Sequence, residues 1–245
     1  MRIQEPLSRA PLTQRREYTY IGRDGICRTE QEQVLCELYM KVQVSHAYSF
    51  SVVCIPEYLP ELILGRLLTS GLISSADDVE EIRIDSSLKT ADAILKEPLP
   101  AVNAPEPPAP IPWSPSQIFS LADRFSGGMP LHSQTFATHS CFLAREDRLL
   151  FQCEDIGRHN AVDKAVGYAL RRGIPLGSCI LYSSGRAPAD MVLKAIRAGI
   201  PVFASKASPT AEAVSLARQY HLTLICAARR DRMKLFAGAP WTSHP

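Results

Sequence analysis

The sequence contains no apolar run that could cross a membrane. No window approaches the roughly 18 to 20 uninterrupted apolar residues that a spanning helix needs, and its first residues lack the apolar segment of a secretory signal. The seven cysteines are odd in number, scattered and without a CxxC pair, so a disulfide framework is not expected. These absences predict a cytoplasmic protein with reduced thiols and no membrane partner.

An excess of charge of one sign is also missing. The formal net charge is only +2 in 245 residues. Proteins that hold duplex nucleic acid usually carry a denser basic field, so we expect no nucleic-acid partner. The apolar fraction of 46% lies in the globular range and allows a sizeable core. A local basic cluster could still bind one anionic small molecule.

Familiar catalytic motifs do not occur in the chain. There is no GxGxxG, GxxxxGK[ST], GxSxG or HExxH, and no HxE accompanied by PCxxC. The six histidines show no metal-ligand spacing. We therefore expect no catalytic metal.

A proline-rich stretch divides the sequence. Pro98 to Pro115 holds 8 of the 19 prolines and one charged residue, which excludes a helix or a central strand and predicts a loop or linker. Before it we expect a polar arm over residues 1–28 and a smaller α+β region over residues 29–97. Within that region "CELYMKVQVSHAYSFSVVCI" predicts a hairpin, and the apolar helix at Leu62 to Leu68 could form a homodimer interface.

The segment after the linker predicts the main domain, over residues 116–237, followed by a tail over residues 238–245. Ser114 and Gln117 form a capping-box pattern, "HSCFLA" and "RLLFQC" predict a hairpin, and Asn160 is expected to cap the next helix. The strands "CILY", "PVFA" and "LTLIC" then alternate with helical segments. This alternation predicts an α/β domain with a mostly parallel sheet covered by helices.

Three polar loops follow these strands. "SSGR", "SKASPT" and "ARRDR" supply hydroxyls, a glycine, a lysine and several arginines. Because ligands bind outside the carboxyl ends of parallel strands, and helix N-termini attract anions, we expect a phosphate-binding edge. The alternative for each loop alone is ordinary helix capping, or a solvated ion pair between Arg230 and Asp231.

The stretch "EDIGRHNAVDK" fits the same edge. Asn160 and Asp163 are explained by a helix start, but Glu154, Asp155, Arg158 and His159 are not needed for that. We predict that this concentration of hydrogen-bonding groups serves the same ligand.

The segments "EDIGRHNAVDKAVG", "SSGRAPADMVLKAIRAGIPVFASKASPTAEAVSLA" and "LTLICAARRDRMKLF" strongly resemble the FdhD family, and "LGRLLTSGLI" is similar to its N-terminal signature. The resemblance covers the chain from about Glu32 to Phe236. It implies a formate dehydrogenase accessory protein with a cytidine-deaminase-like main domain. Such a sulfur carrier takes sulfur from a cysteine desulfurase as a cysteine persulfide. It passes the sulfur to the molybdenum bis(molybdopterin guanine dinucleotide) cofactor of formate dehydrogenase.

The three loops and the resemblance together predict the residues that bind this cofactor. They are Thr135, His139, Asp155, Gly157, Arg158, His159, Asn160, Ser184, Gly185, Arg186, Ser205, Lys206, Ala228, Arg229, Arg230, Asp231, Arg232 and Met233.

The chain departs from the family pattern in two places. "NAPEPPAPIPWSP" has no cysteine where the family carries the persulfide on a CxxC motif, and TGGxH appears as Thr135 to His139 without either glycine. Only a thiolate accepts and donates sulfane sulfur. Cys141 is the replacement candidate because the imidazolium of His139 would favour its thiolate; the alternative is a buried strand cysteine.

Three hypotheses follow. The first is a working sulfurtransferase that uses a displaced cysteine, and the second is a chaperone for the cofactor or its target enzyme that moves no sulfur. The third is a nucleotide hydrolase or deaminase on the same scaffold.

Overall fold

The protein combines strands and helices in a computed structural model that describes residues 1–6, 10–98, 102 and 104–239. The strands are β1 (Arg2–Gln4), β2 (Thr13–Ile21), β3 (Cys27–Leu35), β4 (Leu38–Val44), β5 (Tyr48–Cys54), β6 (Val79–Ile84), β7 (Thr90–Leu95), β8 (His139–Arg145), β9 (Arg148–Asp155), β10 (Ile180–Ser183), β11 (Val202–Ser205), β12 (Thr223–Cys226) and β13 (Lys234–Ala237). The helices are α1 (Leu59–Thr69), α2 (Pro115–Ser126), α3 (Pro130–Thr135), α4 (Arg158–Arg171), α5 (Ala189–Arg197) and α6 (Ala211–Gln219). Two 3₁₀ turns lie at Ala76–Asp78 and Leu176–Ser178.

The N-terminal part forms a five-stranded sheet with the order β1-β6-β7-β4-β5. The predicted hairpin is confirmed as β4 and β5, and Ser45 and His46 reverse the chain between them with φ of 43° and 59°. One face of this sheet packs its alternating apolar residues into the core that it shares with α1.

The described part of residues 1–28, which were predicted as a polar arm, contains two strands and the start of a third. Strand β1 pairs in parallel with β6, and β2 and β3 form an exposed hairpin that runs across the boundary predicted at residue 28. Cross-strand pairs stabilise this hairpin: the hydroxyl of Tyr18 donates to Glu30 over 2.6 Å, and the guanidinium of Arg28 lies 4.4 Å from the ring centroid of Tyr20. Both faces of the hairpin are exposed to solvent, so its sequence lacks the alternation of apolar and polar residues that predicts a strand.

The main sheet has six strands in the order β13-β12-β11-β10-β8-β9. Only the pairs β10–β11 and β11–β12 are parallel, and the other three pairs are antiparallel. The prediction of an α/β domain is confirmed, but the prediction of a mostly parallel sheet is wrong. Parallel pairing needs a helical crossover, which α5 and α6 provide, whereas β8–β9 and β12–β13 are joined by connections too short for one.

Helices cover both faces of the main sheet. One face packs against α4, α5 and α6, and the other packs Phe142 and Tyr182 against Ile118 and Leu121 of α2. The predicted capping box of α2 is confirmed, because Ser114 accepts from the amide of Gln117 and the Gln117 side chain accepts from the amide of Ser114.

The proline-rich segment has neither helix nor strand over its described residues 104–114. Ile111 and Trp113 pack against the α2 face of the sheet, so this part of the segment lies along the domain. Residues 99–101 and 103 of the predicted linker, and residues 240–245 of the predicted tail, lie outside the described residues.

Helices α1 and α4 cross with their backbones in contact, and glycine makes this possible. A Cβ on Gly65 would lie 1.8 Å from the carbonyl oxygen of Asp163, and a Cβ on Gly167 would lie 1.8 Å from that of Glu61. This crossing buries Leu62 to Leu68 within the chain. The apolar side chains of this helix therefore pack inside the chain, and a homodimer stays a prediction.

Candidate anion-binding site

The three predicted loops lie at one edge of the main sheet. Strands β10 and β11 pair in register at their ends, Ser183 opposite Ser205, and the antiparallel β8 meets the same edge with its first residues. His139 at the start of β8 pairs with Asp155 at the end of β9, which leads directly into α4. We call the four cationic side chains on these connections, Arg158, Arg186, Lys206 and Arg229, the cationic rim.

Arg158 lies directly against the loop that contains Arg186. It is the first residue of α4, and a Cβ added to Gly185 would lie 2.8 Å from both Cβ and Cδ of Arg158. Glycine at position 185 therefore permits this approach. The Nε of Arg158 is buried and has no hydrogen-bond partner among the described residues. An unsatisfied guanidinium donor at this edge is a place for an anion.

Lys206 and Arg229 line a cavity of about 270 Å³ beside this loop. Aromatic rings contribute to its wall: the Nζ of Lys206 lies 4.4 Å from the ring centroid of Phe125, and the hydroxyl of Tyr182 donates to the carbonyl of Ala228 over 2.9 Å. The cavity therefore combines a flat apolar wall with positive charge.

Ion pairs within the chain neutralise part of the predicted basic edge. Arg230 pairs with Asp123 of α2 at 3.0 Å, and Arg232 pairs with Asp231 at 3.4 Å. Among the described residues, the side chains of Arg186 and Arg229 have neither an ion pair nor a hydrogen bond, and both are exposed. The uncompensated charge is thus concentrated on the cationic rim.

Two histidines border the rim, and both have a lowered pKa. Burial lowers the pKa of His139 below 6.5, and the nearby Arg158, His132 and Arg186 lower it further. Burial also lowers the pKa of His159, although Asp190, whose Oδ2 lies 3.4 Å from its Nε2, opposes the shift. Both imidazoles are therefore mainly neutral at pH 7.

The predicted serine ligands point into the protein. The hydroxyl of Ser205 is fully buried, donates to the carbonyl of Gly185 over 2.6 Å and accepts from the amide of Ala207. Ser184 accepts from the amide of Ser140 over 2.9 Å. These hydroxyls hold the loops together, and their contact with a ligand stays a prediction.

Asp155 and Asn160 are also used internally. Asp155 is fully buried, pairs with Lys164 at 2.7 Å and accepts from the Nδ2 of Asn160 at 2.8 Å. The same Nδ2 of Asn160 donates to the carbonyl of Val53. Asn160 does not cap α4, because Gly157 occupies that position. The group joins β5 to α4, and the carboxylate of Asp155 is buried within it.

Lys164 is the residue of this group that sequence reasoning missed. It is fully buried inside α4 and lies against the carbonyls of Ile55 and Glu154. A lysine within a helical pattern gives no signal of burial, because its partner Ile55 is more than 100 positions away.

Glu154 anchors the short helix α3. Its carboxylate accepts from the amides of Leu131 and His132 and from the hydroxyl of Thr138, at 2.7 to 2.9 Å. Thr135, predicted as a ligand contact, donates to the carbonyl of Leu131 over 2.8 Å. These bonds fix the segment that leads from α3 to His139 at the sheet edge.

Met233 and Ala228 complete the predicted set. Ala228 is buried, and Met233 packs against the same core cluster as α2. Their side chains belong to the cavity floor and the core, and neither adds charge to the edge.

Cys141 is completely buried, and burial raises the pKa of its thiol well above the usual 9.0. This contradicts the expectation of an accessible thiolate and confirms the alternative of a buried strand cysteine. The neutral ring of His139 supplies no compensating charge. Of the seven cysteines, all of which are described, Cys27 is exposed, Cys36 is half-buried and the others are buried.

The described ranges contain neither a cluster of metal ligands nor a membrane-spanning helix. Within them no group of three or more His, Cys, Asp or Glu side chains could hold a metal ion. In the same part of the chain no helix combines the length and apolar character needed to cross a bilayer.

Fold and site together define an α/β protein with a cationic site at its strand ends. The FdhD/NarQ family model matches residues 91–241, and the chain belongs to this family. It is 26% identical to the sulfur carrier protein FdhD of Staphylococcus haemolyticus over 90% of this chain and 94% of that protein. It is 28% identical to the protein of that name from Halalkalibacterium halodurans, over 84% of this chain and 87% of that protein.

A solved structure shows the same fold. It is a protein from Desulfotalea psychrophila, assigned as a formate dehydrogenase accessory protein. The TM-score is 0.81 and the identity 29%, over 93% of this chain and 98% of the other. The fold of this chain is therefore shared with a crystallised protein over nearly the whole length of both chains.

Proposed function

We propose that this protein is a formate dehydrogenase accessory protein that binds the molybdenum bis(molybdopterin guanine dinucleotide) cofactor at the cationic rim. The observation that carries the proposal is the convergence of Arg158, Arg186, Lys206 and Arg229 on one sheet edge. A ligand rich in phosphates suits this edge, because guanidinium groups bind phosphate oxygens in pairs.

The unsatisfied Nε of Arg158 supports the same assignment. A buried donor without a partner costs free energy, and a phosphate oxygen placed against it would remove that cost. The cavity between Phe125, Lys206 and Arg229 offers a second place for part of a large ligand. For the fold, we propose a cytidine-deaminase-like core in the strand order β9-β8-β10-β11-β12 with its helices α4 to α6 on one face.

Binding of guanosine diphosphate, measured by titration calorimetry, tests the proposal. Arg158→Gln and Arg186→Gln are each expected to weaken binding about tenfold or more, because a hydrogen bond to a charged group is worth about 1.5 to 3 kcal/mol. Arg172→Gln is the matched control, since it removes an arginine at the opposite end of α4. Equal affinities for all three variants and the unchanged protein would refute the site.

Sulfur transfer is the second candidate function. The relatives that share most of the chain bear the name sulfur carrier protein. Cys27 and Cys36, at the two ends of β3, keep exposed thiol surface, and β3 contacts α3 beside the site. We propose that a cysteine desulfurase would load one of these two thiols, and that the sulfur would pass to the cofactor destined for formate dehydrogenase.

Mass spectrometry after incubation with a cysteine desulfurase and cysteine separates the two functions. A gain of one sulfur that survives Cys141→Ser but is lost in Cys36→Ser or Cys27→Ser supports a carrier with a displaced thiol. No gain in the unchanged protein, with guanosine diphosphate binding intact, supports a cofactor chaperone that moves no sulfur.

A further inference from the structure

Phe136 combines high exposure with an unusual backbone conformation. Its side chain is 76% exposed, although most large apolar side chains in the described chain are buried. It follows α3 with φ of 52° and ψ of 16°, in the left-handed region. Glycine takes this conformation freely, whereas a bulky residue there is a genuine outlier.

Contacts within the chain do not account for this arrangement. The amide of Phe136 donates to the carbonyl of His132 over 2.8 Å, a bond that any residue would make. Among the aromatic rings of the described residues, its ring meets that of His132, edge-on at 5.8 Å between centroids. A strained and exposed aromatic side chain suggests a role outside the folded chain.

Phe136 stands at the end of a row of rings that leads to the cationic rim. The ring centroids of His132 and Phe125 are 6.4 Å apart. The Nζ of Lys206 lies over the ring of Phe125, 4.4 Å from its centroid. In the other direction, two residues separate Phe136 from His139, which borders Arg158 and Arg186. Successive ring contacts therefore connect the exposed ring of Phe136, through His132 and Phe125, to Lys206 of the cationic rim.

We infer that Phe136 stacks against a planar heteroaromatic ring, a purine or a pterin, of the anionic ligand held at the cationic rim. This inference rests on the proposed function and deepens it. Exposed neighbours of Phe136 such as Ser133, Gln134 and Ala137 are small or polar, so the ring does not belong to a broad apolar patch of the kind that binds a protein. A ligand that joins negative charge to a flat ring fits an isolated aromatic beside free cations.

Calorimetric titration with two probes tests the inference: guanosine diphosphate has phosphates and a base, and pyrophosphate has the phosphates alone. Phe136→Leu is expected to weaken guanosine diphosphate about fivefold or more, because it keeps bulk but removes the stacking face. Phe136→Trp should bind within about twofold of the unchanged protein, and pyrophosphate affinity should stay constant throughout. Tyr39→Leu, which removes an exposed aromatic from the smaller sheet, is the matched control.

Each result separates the inference from the proposed function. If the unchanged protein binds neither probe, the proposed function fails, and the inference with it. If it binds pyrophosphate but not guanosine diphosphate, or if Phe136→Leu binds guanosine diphosphate as well as the unchanged protein does, the inference is overturned and the anion site stands. Equal weakening of both probes by Phe136→Leu would show a disturbed loop and would also overturn it.

Discussion

Replacing Gly65 by alanine tests the contact on which the position of α4, and hence of Arg158, depends. An alanine Cβ would lie 1.8 Å from the carbonyl oxygen of Asp163 and 2.8 Å from the amide nitrogen of Gly167, and both atoms belong to helical backbone. Ordinary contact begins at 3.4 Å, so the two helices would have to separate by about 1.6 Å. Backbone atoms inside a helix cannot move aside alone.

The direction of the effect makes this substitution informative. In a free helix, glycine to alanine stabilises by about 1 kcal/mol. Here we expect a loss of about 3 kcal/mol or more, because overpacking typically costs 1 to 3 kcal/mol and the separation would also loosen the buried Asp163–Lys194 pair, which spans 2.6 Å. Against a total stability of about 5 to 15 kcal/mol, such a loss is readily measured.

Urea denaturation followed by circular dichroism provides the measurement. Gly177→Ala is the control, because its nearest neighbour would be 3.7 Å away, and we expect a change within about 0.5 kcal/mol. In the double variant Gly65→Ala with Gly167→Ala, the second substitution should cost less than it does alone, since the first has already separated the helices. A stabilised Gly65→Ala protein would show that α1 and α4 do not meet as described.

Further predictions concern buried charge, pH and backbone strain. Lys164→Met should destabilise the protein by about 3 to 5 kcal/mol, because it leaves the Asp155 carboxylate buried without its partner. Lys89 is exposed, so the control Lys89→Met should change stability by less than about 0.5 kcal/mol in the same denaturation assay. The pKa of His139 is lowered in the folded state, so the unfolded chain binds this proton first, and stability should fall as pH drops below about 6.5. Part of this dependence of stability on pH should vanish in His139→Gln, and an unchanged dependence would contradict the assignment. Phe136→Gly should raise the melting temperature by relieving the left-handed φ, and a lowered value would show that the ring stabilises the free protein.

Some polar residues of the segment "EDIGRHNAVDK" bond within the protein, and others lie at the cationic rim. Glu154 accepts hydrogen bonds from α3, and the ion pair of Asp155 with Lys164 helps to join β5 to α4. These charged groups are therefore paired within the protein. Arg158 and His159, between them, remain at the rim. Sequence reasoning recognised that capping alone did not explain the segment, but it assigned the buried Asp155 to the ligand together with Arg158 and His159.

Local pattern determined much of the architecture. The capping box at Ser114 and Gln117, the hairpins around "SHAYS" and around Glu146 and Asp147, and the strand–helix alternation all follow from interactions between residues close in the chain. The meeting of the three loops at one edge also followed, because successive crossovers place the carboxyl ends of parallel strands together. The antiparallel pairing of β8 with β10 and of β13 with β12 did not, since a short strand carries little signal of its direction.

Only the tertiary structure decided which polar groups remain free. The partner of Asp155, the burial of Cys141 and the contact between Gly65 and the backbone of α4 depend on segments brought together from distant parts of the chain. The left-handed conformation of Phe136 likewise depends on how Glu154 holds α3 against the sheet edge. Residue type and spacing determine where a polar side chain could contact a ligand. The long-range packing around that side chain decides whether it is paired within the protein or exposed.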